Sequence, residues 1–396
     1  MNKKRNVYLK MKTLAEARKI ILSEFQALAP LATEVIPVQD SVGRILAQPV
    51  TAELSSPHFH AAAMDGVAVK AKSTFGANPA APIELKVNED AFYVNTGHVM
   101  PENSDAVIMI EHLNILDEKR IQIEAPVFPW QHVRKIGEDI VATELLFPQN
   151  HVITPYCLGA LITGGIFKVK VKRKPRILVI PTGSELVNWQ TTTAALKPGQ
   201  VLESNSYVLG SLAEDAGADF ARSEQLMDDP ARIKSAVKTA MDGDVDMVLT
   251  VGGSSAGSED YAKDVILELG DVLVHGVTIM PGKPVIVGKI KSKPIFGIPG
   301  YPVSAIIAFE QFVKPLIEQM KGQPEQPRIH IEVEPTRKVA SKLGLEEFVR
   351  VKLGTVGDRV VATALPRGAG LITSITEADG IIRIPEHIEG LEENKA

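Results

Sequence analysis

The sequence predicts a multidomain protein of the α/β-plus-β class, with a central parallel α/β sandwich domain, a β-rich insert domain and a small C-terminal β-barrel. Three observations carry that prediction. The chain has 396 residues, which at about 150 residues per domain calls for roughly two to three domains. Between residues 176 and 320, compact apolar runs alternate with amphipathic helical stretches, the pattern of parallel βα units with helices on both faces. On either side, the apolar runs are short and broken by Gly, Pro, Asn and Asp, as in sheets built from tight turns.

Composition excludes several classes. Hydrophobic residues are 45% and charged residues 23%, ordinary globular usage that argues against wholesale disorder. A net charge of -5 gives no broad electrostatic grip on nucleic acid, and 5% aromatic residues supply no stacking platform for single strands. The single cysteine, Cys157, excludes an intrachain disulfide framework and a Cys-rich metal site. No apolar run is long enough to cross a membrane. The basic start, Lys3, Lys4 and Arg5, leads into Leu14 to Lys19 without the apolar segment of a signal peptide. The expectation is a soluble, cytoplasmic protein with no nucleic-acid and no membrane partner.

Taken in order, residues 13–28 place Leu14, Ala17, Ile21, Phe25 and Leu28 on one helical face, with Thr13 and Glu16 spaced as a capping box. Residues 67–70, 83–87, 106–110 and 120–123 read as strands of a mainly β unit. The alternating run FKVKVKRKP at 167–175 reads as an exposed edge strand whose lysines discourage pairing. Strands follow at 176–181, 246–251, 285–289 and 294–298, and helices at 205–216, 230–241, 260–269 and 302–320. Asp229 before Pro230 is the clearest N-cap. The tail returns to short strands in HIEVEP, FVRVKL, RVVATALP and GIIRIP.

Ligands bind an open parallel sheet outside the carboxyl ends of its strands. Three such ends run into small-residue loops: Thr182-Gly183-Ser184-Glu185, the segment from Gly252 and Gly253 to Asp260, and Gly300 to Ser304. Small residues permit close backbone approach, and helix N-termini offer N–H groups to oxyanions. GGSSAG does not fit the dinucleotide fingerprint. The Gly276 to Lys283 stretch has the wrong spacing for a P-loop, and Pro284 stands where Ser or Thr would hold magnesium. Lys283 between Pro281 and Pro284 sits on a stiff turn suited to an oxyanion. Glu185, Asp228, Asp229 and Asp260 follow predicted strands, where carboxylates beside phosphate-binding loops commonly hold magnesium, although each taken singly is more often an N-cap. Asp65 in AAAMDGVA and Thr96 in NTG lie in two further small-residue loops. His58 and His60 are too isolated for a metal site.

These segments together resemble the molybdopterin molybdenumtransferase (MoeA) family, which includes the E domain of gephyrin. The motifs are AMDGVAV (63–69), NTGHVMPENSDAVI (95–108), GEDI (137–140), PTGSEL (181–186), ESNSYVLGSLAEDAGA (203–218), GGSSAGSEDY (252–261), PGKP (281–284), PGYPVSA (299–305), EFVRV (347–351) and GAGLITS (368–374). They occur in family order over nearly the full length.

The resemblance implies four domains: 1–50 with 135–173 as an elongated dimer domain, 51–134 β-rich, 174–325 the α/β domain of the molybdenum cofactor biosynthesis type, and 326–396 the barrel. It implies a homodimer that takes adenylylated molybdopterin from the molybdopterin adenylyltransferase, cleaves its phosphoanhydride with Mg2+ and inserts molybdate. By matching motifs, Asp65, Thr96, Glu185, Asp260 and Lys283 are the catalytic set, and Asp228, Asp260 and Glu185 the metal ligands. Gly183, Ser184, Gly252, Gly253, Ser304, Arg350 and Ser374 bind substrate, the last three in the oxyanion cradle with Lys283. Many family members carry lysine where this chain has Met280 and asparagine where it has Tyr301. Competing readings are a tungstate-directed insertase, a molybdopterin adenylyltransferase and a non-catalytic scaffold.

Overall fold

The computed structural model describes residues 11–192, 195–253, 261–325 and 327–393. They form two compact units, 33–172 and 1–32 with 173–396.

In the first unit, Gly66–Val69 runs antiparallel between Ala91–Val94 and Ala106–Met109. All four residues of this central strand are buried. A Cβ on Gly66 would lie 1.9 Å from the Ile108 carbonyl oxygen, so only glycine fits at this crossing. A second sheet, with Arg120–Ile123 between Ile83–Lys86 and Asn114–Ile115, shares the core through Leu85, Ile121 and Ile123. Lys168–Lys172 buries Val169 and Val171 and exposes Lys168 and Lys170. It is not the open edge expected of it. Thr33–Pro37 pairs along its length and Leu46 bridges Val171, because the buried valines need a covering layer.

In the second unit a six-stranded sheet runs in the order Asp219–Arg222, Arg176–Pro181, Met247–Val251, Lys293–Ile298, Ile286–Ile290, Asp271–His275. The first four strands are parallel and the last two pairings antiparallel, so that Ile286–Ile290 alone runs against the rest; the sheet is mixed, not wholly parallel as the sequence suggested. The cause is a tight hairpin. Ile290 pairs with Lys293 across two residues, and Lys291 takes φ +56°, whereas a parallel neighbour needs a crossover of about a dozen residues.

Helices cover both faces. Leu14–Glu24, Asn205–Asp215 and the helix beginning at Pro302 share one core, and Pro230–Asp242 and Tyr261–Leu269 share the other. Thr13 and Glu16 form the capping box, with bonds of 3.2 and 3.0 Å. Leu14, Ala17, Ile21 and Phe25 pack into the α/β core, so this N-terminal helix joins the α/β unit and not the 135–173 segment with which the sequence grouped it. The 302–320 helix forms but is interrupted. Pro302–Ala308 passes through a π turn, Phe309–Val313, into Lys314–Lys321. Pro315 has no N–H for the carbonyl of Gln311, and Arg18 Nη1 donates to that oxygen instead at 3.0 Å.

The tail builds a five-stranded sheet around Glu346–Val356, which pairs with Arg359–Ala364, Gly380–Ile384 and, in parallel, Ile279–Met280. Of the HIEVEP segment only Glu334–Pro335 pairs. Ile329 and Ile331 stay exposed while Val333 packs against the C-terminal core, so the alternation there is only partly spent on burial.

Candidate functional site

Strands 176–181, 247–251 and 293–298 are adjacent in the sheet, which brings their three small-residue loops together at one edge. Thr182 N–H donates to Val251 O at 2.8 Å and Gly252 N–H to Ile298 O at 3.0 Å. A Cβ on Gly252 would stand 2.2 Å from Thr182 O, and one on Gly300 would stand 3.7 Å from the Gly252 Cα. The glycines therefore let three backbones meet. Beside them opens a cleft of about 990 Å³, lined by Glu185, Gly252, Gly253, Lys283 and Tyr301 among others.

Glu185 folds back over Gly183, where a Cβ would come within 2.7 Å of its carboxylate. Ser184 and Asp228 lock the loop reciprocally: Ser184 N–H donates to Asp228 Oδ2 at 2.8 Å and Asp228 N–H to Ser184 Oγ at 3.2 Å. Lys283 is exposed in the cleft lining. Its ammonium has no hydrogen-bond or ion-pair partner among the described residues. Charge held on a stiff turn and left unspent is available to an anion. Ser304 is the third residue of helix Pro302–Ala308 and buried, and its carbonyl would lie 3.5 Å from a Cβ on Gly282.

Arg350 and Ser374 lie behind this wall. Arg350 is 1% exposed. It donates through Nε to Ser374 Oγ (3.2 Å), through Nη1 to Phe348 O (3.4 Å) and through Nη2 to Pro366 O (2.8 Å) and Gly368 O (3.3 Å). No carboxylate pairs with it among the described residues, and Glu347 is taken by Arg367 at 3.0 Å. Burial pushes the Arg350 pKa down from its usual value, against the opposite pull of Glu347. The loop it holds places Gly370 in the cleft wall and Ala369 O on the Val303 N–H at 3.0 Å.

In the other unit, Thr96 donates its N–H (2.7 Å) and hydroxyl (3.0 Å) to one oxygen of Asp65. These bonds, the backbone one foremost, lower the carboxyl's pKa below its ordinary value. Asp260 lies outside the described residues, as does the rest of the loop from 254. Among the described residues no three His, Cys, Asp or Glu side chains are gathered for a metal. Glu185 and Asp228 nevertheless offer the hard oxygen donors that suit magnesium, on two loops tied together by the Ser184–Asp228 bonds.

Comparison with known proteins decides the family. Residues 12–165 match the MoeA N-terminal region (domain I and II), 178–319 the "Probable molybdopterin binding domain" and 332–396 the MoeA C-terminal region (domain IV). The chain belongs to the MoeA family. A MoeA relative from Mycobacterium tuberculosis named molybdopterin molybdenumtransferase 2 is 32% identical over 96% of both chains. Another, from Haemophilus influenzae and named molybdopterin molybdenumtransferase, is 31% identical over 86% of this chain and 85% of its own. The crystal structure titled molybdopterin biosynthesis moea protein from Pyrococcus horikosii superposes with a TM-score of 0.80 at 33% identity, covering 98% of this chain and 97% of that one. Membership places the chain among the transferases of molybdenum cofactor biosynthesis.

Within this MoeA member the fold gathers Gly183, Ser184, Glu185, Asp228, Gly252, Gly253 and Lys283 on one sheet edge and sets Ser304 beside the Lys283 turn. It joins Arg350 to Ser374 and Asp65 to Thr96. Sequence reasoning missed Glu203, which is 2% exposed, lines the cleft and pairs with Arg222 at 3.1 Å. It also missed Asn205, whose amide donates to Gly300 O at 2.6 Å. The motif ESNS contained both, but a Glu, Ser and Asn before a helix reads first as a cap.

Proposed function

We propose that the chain takes adenylylated molybdopterin, cleaves its phosphoanhydride to release AMP, and inserts molybdate into the dithiolene of the product. The observation that carries this reading is the Lys283 ammonium, without a partner among the described residues, in a cleft walled by glycine loops. Such a site favours a polyanion that must approach backbone closely. Lys283 neutralises charge that builds on the cleaved phosphate or the incoming tetrahedral dianion. Gly252 and Gly253 let that group reach the loop backbone. Glu185, Asp228 and Asp260 would hold Mg2+, which when bound supplies Lewis-acid polarisation of phosphoryl oxygens. Arg350, desolvated and with no carboxylate hydrogen-bonded to it among the described residues, projects positive potential beneath the 366–374 loop. Together with Ser304 and Ser374 it completes the oxyanion cradle.

The protein works in the cytoplasm as a homodimer of four-domain subunits, with the domain boundaries given above except that the N-terminal helix packs with the α/β domain. Asp65 and Thr96 of one subunit serve the cleft of the other, and the adenylylated substrate comes from the molybdopterin adenylyltransferase. Methionine at 280 removes a second lysine from the cradle, so tungstate, of the same shape and charge, is the competing cargo. The test supplies adenylylated molybdopterin and Mg2+ with molybdate or tungstate and follows AMP release together with metal incorporation. Release with molybdate is expected. Release only with tungstate would reassign the cargo, and binding without turnover would make the protein a scaffold. A monomer by light scattering at micromolar concentration would refute the shared site.

A further inference from the structure

The loop that runs from Leu186 to Leu202 lines the cleft with Leu186, Val201 and Leu202. The same loop carries Trp189, which is 49% exposed, while Val201 and Leu202 are 53% and 42% exposed. Exposed apolar residues beside a polar cleft can hold a ligand, and Trp189 stands on the same loop just outside the cleft lining. Trp189 is not loose. The Asn188 side chain accepts from Gln190 N–H at 3.0 Å, and the Asn188 carbonyl accepts from the hydroxyls of Thr191 and Thr192 at 3.3 and 2.9 Å. The indole meets Tyr207 edge-on, with ring centres 5.7 Å apart at 63°. Tyr207 in turn carries the Arg222 guanidinium 4.9 Å from its centre, and Arg222 is tied to Glu203 in the cleft wall. The rings are tilted, not stacked in parallel, and the indole stays half-exposed.

We infer that Trp189 is a stacking ledge for the flat heteroaromatic ring of a phosphate-bearing ligand whose anion is held at Lys283. The ligand class rests on the proposed reaction, whose substrate carries two such rings, a pterin and an adenine. The ledge itself rests on the indole, its Tyr207–Arg222–Glu203 buttress and the apolar lining. Flat rings of either kind stack on indole, and loss of one such stack weakens binding roughly five- to 150-fold.

The chain has two tryptophans, so Trp130→Phe leaves Trp189 as the only indole emitter. In that background AMP is expected to quench the emission saturably. In the otherwise native protein, calorimetry with AMP and, separately, with neopterin measures the dissociation constants of Trp189→Ala and Trp189→Phe. Trp189→Ala should weaken at least one ligand about ten-fold, and Trp189→Phe, which keeps a ring, should stay within about three-fold of wild type. Weakening for AMP alone puts the adenine on the ledge; weakening for neopterin alone puts the pterin there. Trp189→Ala within two-fold of wild type for both ligands, or no binding of either by the wild-type protein, overturns the inference. Trp189-dependent AMP binding in a protein that releases no AMP in the insertion assay would refute the reaction and uphold the ledge.

Discussion

Replacing Glu203 by glutamine tests how the cleft wall is held. The carboxylate takes four hydrogen bonds: Ser206 N–H at 2.8 Å, Ser206 Oγ at 2.5 Å, and Arg222 Nε and Nη2 at 3.3 and 3.1 Å. Glutamine keeps one acceptor oxygen and points an NH2 donor either at the Ser206 N–H, in the place of Oε1, or at Ser206 Oγ and the guanidinium, in the place of Oε2. Breaking a buried pair from one side costs about 3–5 kcal/mol. Here Arg222 keeps Ser206 Oγ at 2.7 Å and Ser223 O at 3.2 Å and is 16% exposed. Those remaining partners lower the expected cost to about 2–4 kcal/mol. Arg222→Met should cost a similar amount, and the double variant less than the sum, with a coupling of about 1.5–3 kcal/mol. Urea unfolding of the full chain, followed through the transition of the α/β unit, reads all three. The reasoning fails if Glu203→Gln costs under about 0.5 kcal/mol, or if the two changes simply add.

Gly252→Ala should destabilise by more than about 2 kcal/mol, since its Cβ would enter the Thr182 carbonyl at φ +97°. Gly253→Ala, at φ +64° and 3.5 Å from Thr182 Oγ1, should cost about 1 kcal/mol; equal midpoints in urea would contradict the packing. Lys283→Met should leave the melting temperature unchanged while weakening AMP or molybdate binding by one to two decades in calorimetry. Thr96→Val removes one of the two donors on Asp65 and should raise that carboxyl's pKa toward its ordinary value in an NMR titration. With the native pKa lowered, the contribution of these bonds is full above the ordinary carboxylate range and fades only as pH falls through the depressed value. Between pH 6 and 8 the Asp65 contribution should therefore be constant, with no pH dependence of stability from this carboxylate.

The elements legible in the sequence are those whose cause is local. The Thr13–Glu16 box, the Asp229–Pro230 start and the apolar runs at 176 and 247 each state their structure within a few residues, and each is where it was expected. What was not legible depends on distant partners. Nothing near Leu14 says that its face belongs to a sheet beginning 160 residues later. Lys168–Lys172 advertised an edge because the strand that covers it lies 130 residues earlier. The site divides along the same line. Lys283 between prolines and the glycine loops declared themselves through composition, whereas Glu203 acquires its role only from Arg222, on another strand.

One strand supports much of the cleft. Glu346 and Glu347 pair in parallel with Ile279 and Met280, directly ahead of the Pro281 to Pro284 turn that presents Lys283. Three residues further on, Arg350 grips the carbonyls of Pro366 and Gly368 and so seats the loop whose Ala369 meets the helix at Val303. The cation, the cleft wall and the helix N-terminus are thus referenced to one strand of the C-terminal sheet. Burying this arginine is expensive, because desolvation of the charge is offset only by backbone and hydroxyl acceptors and the longer-range pull of Glu347. What its bonds hold in register, the 366–374 loop, accounts for the side chain better than the strength of the sheet does.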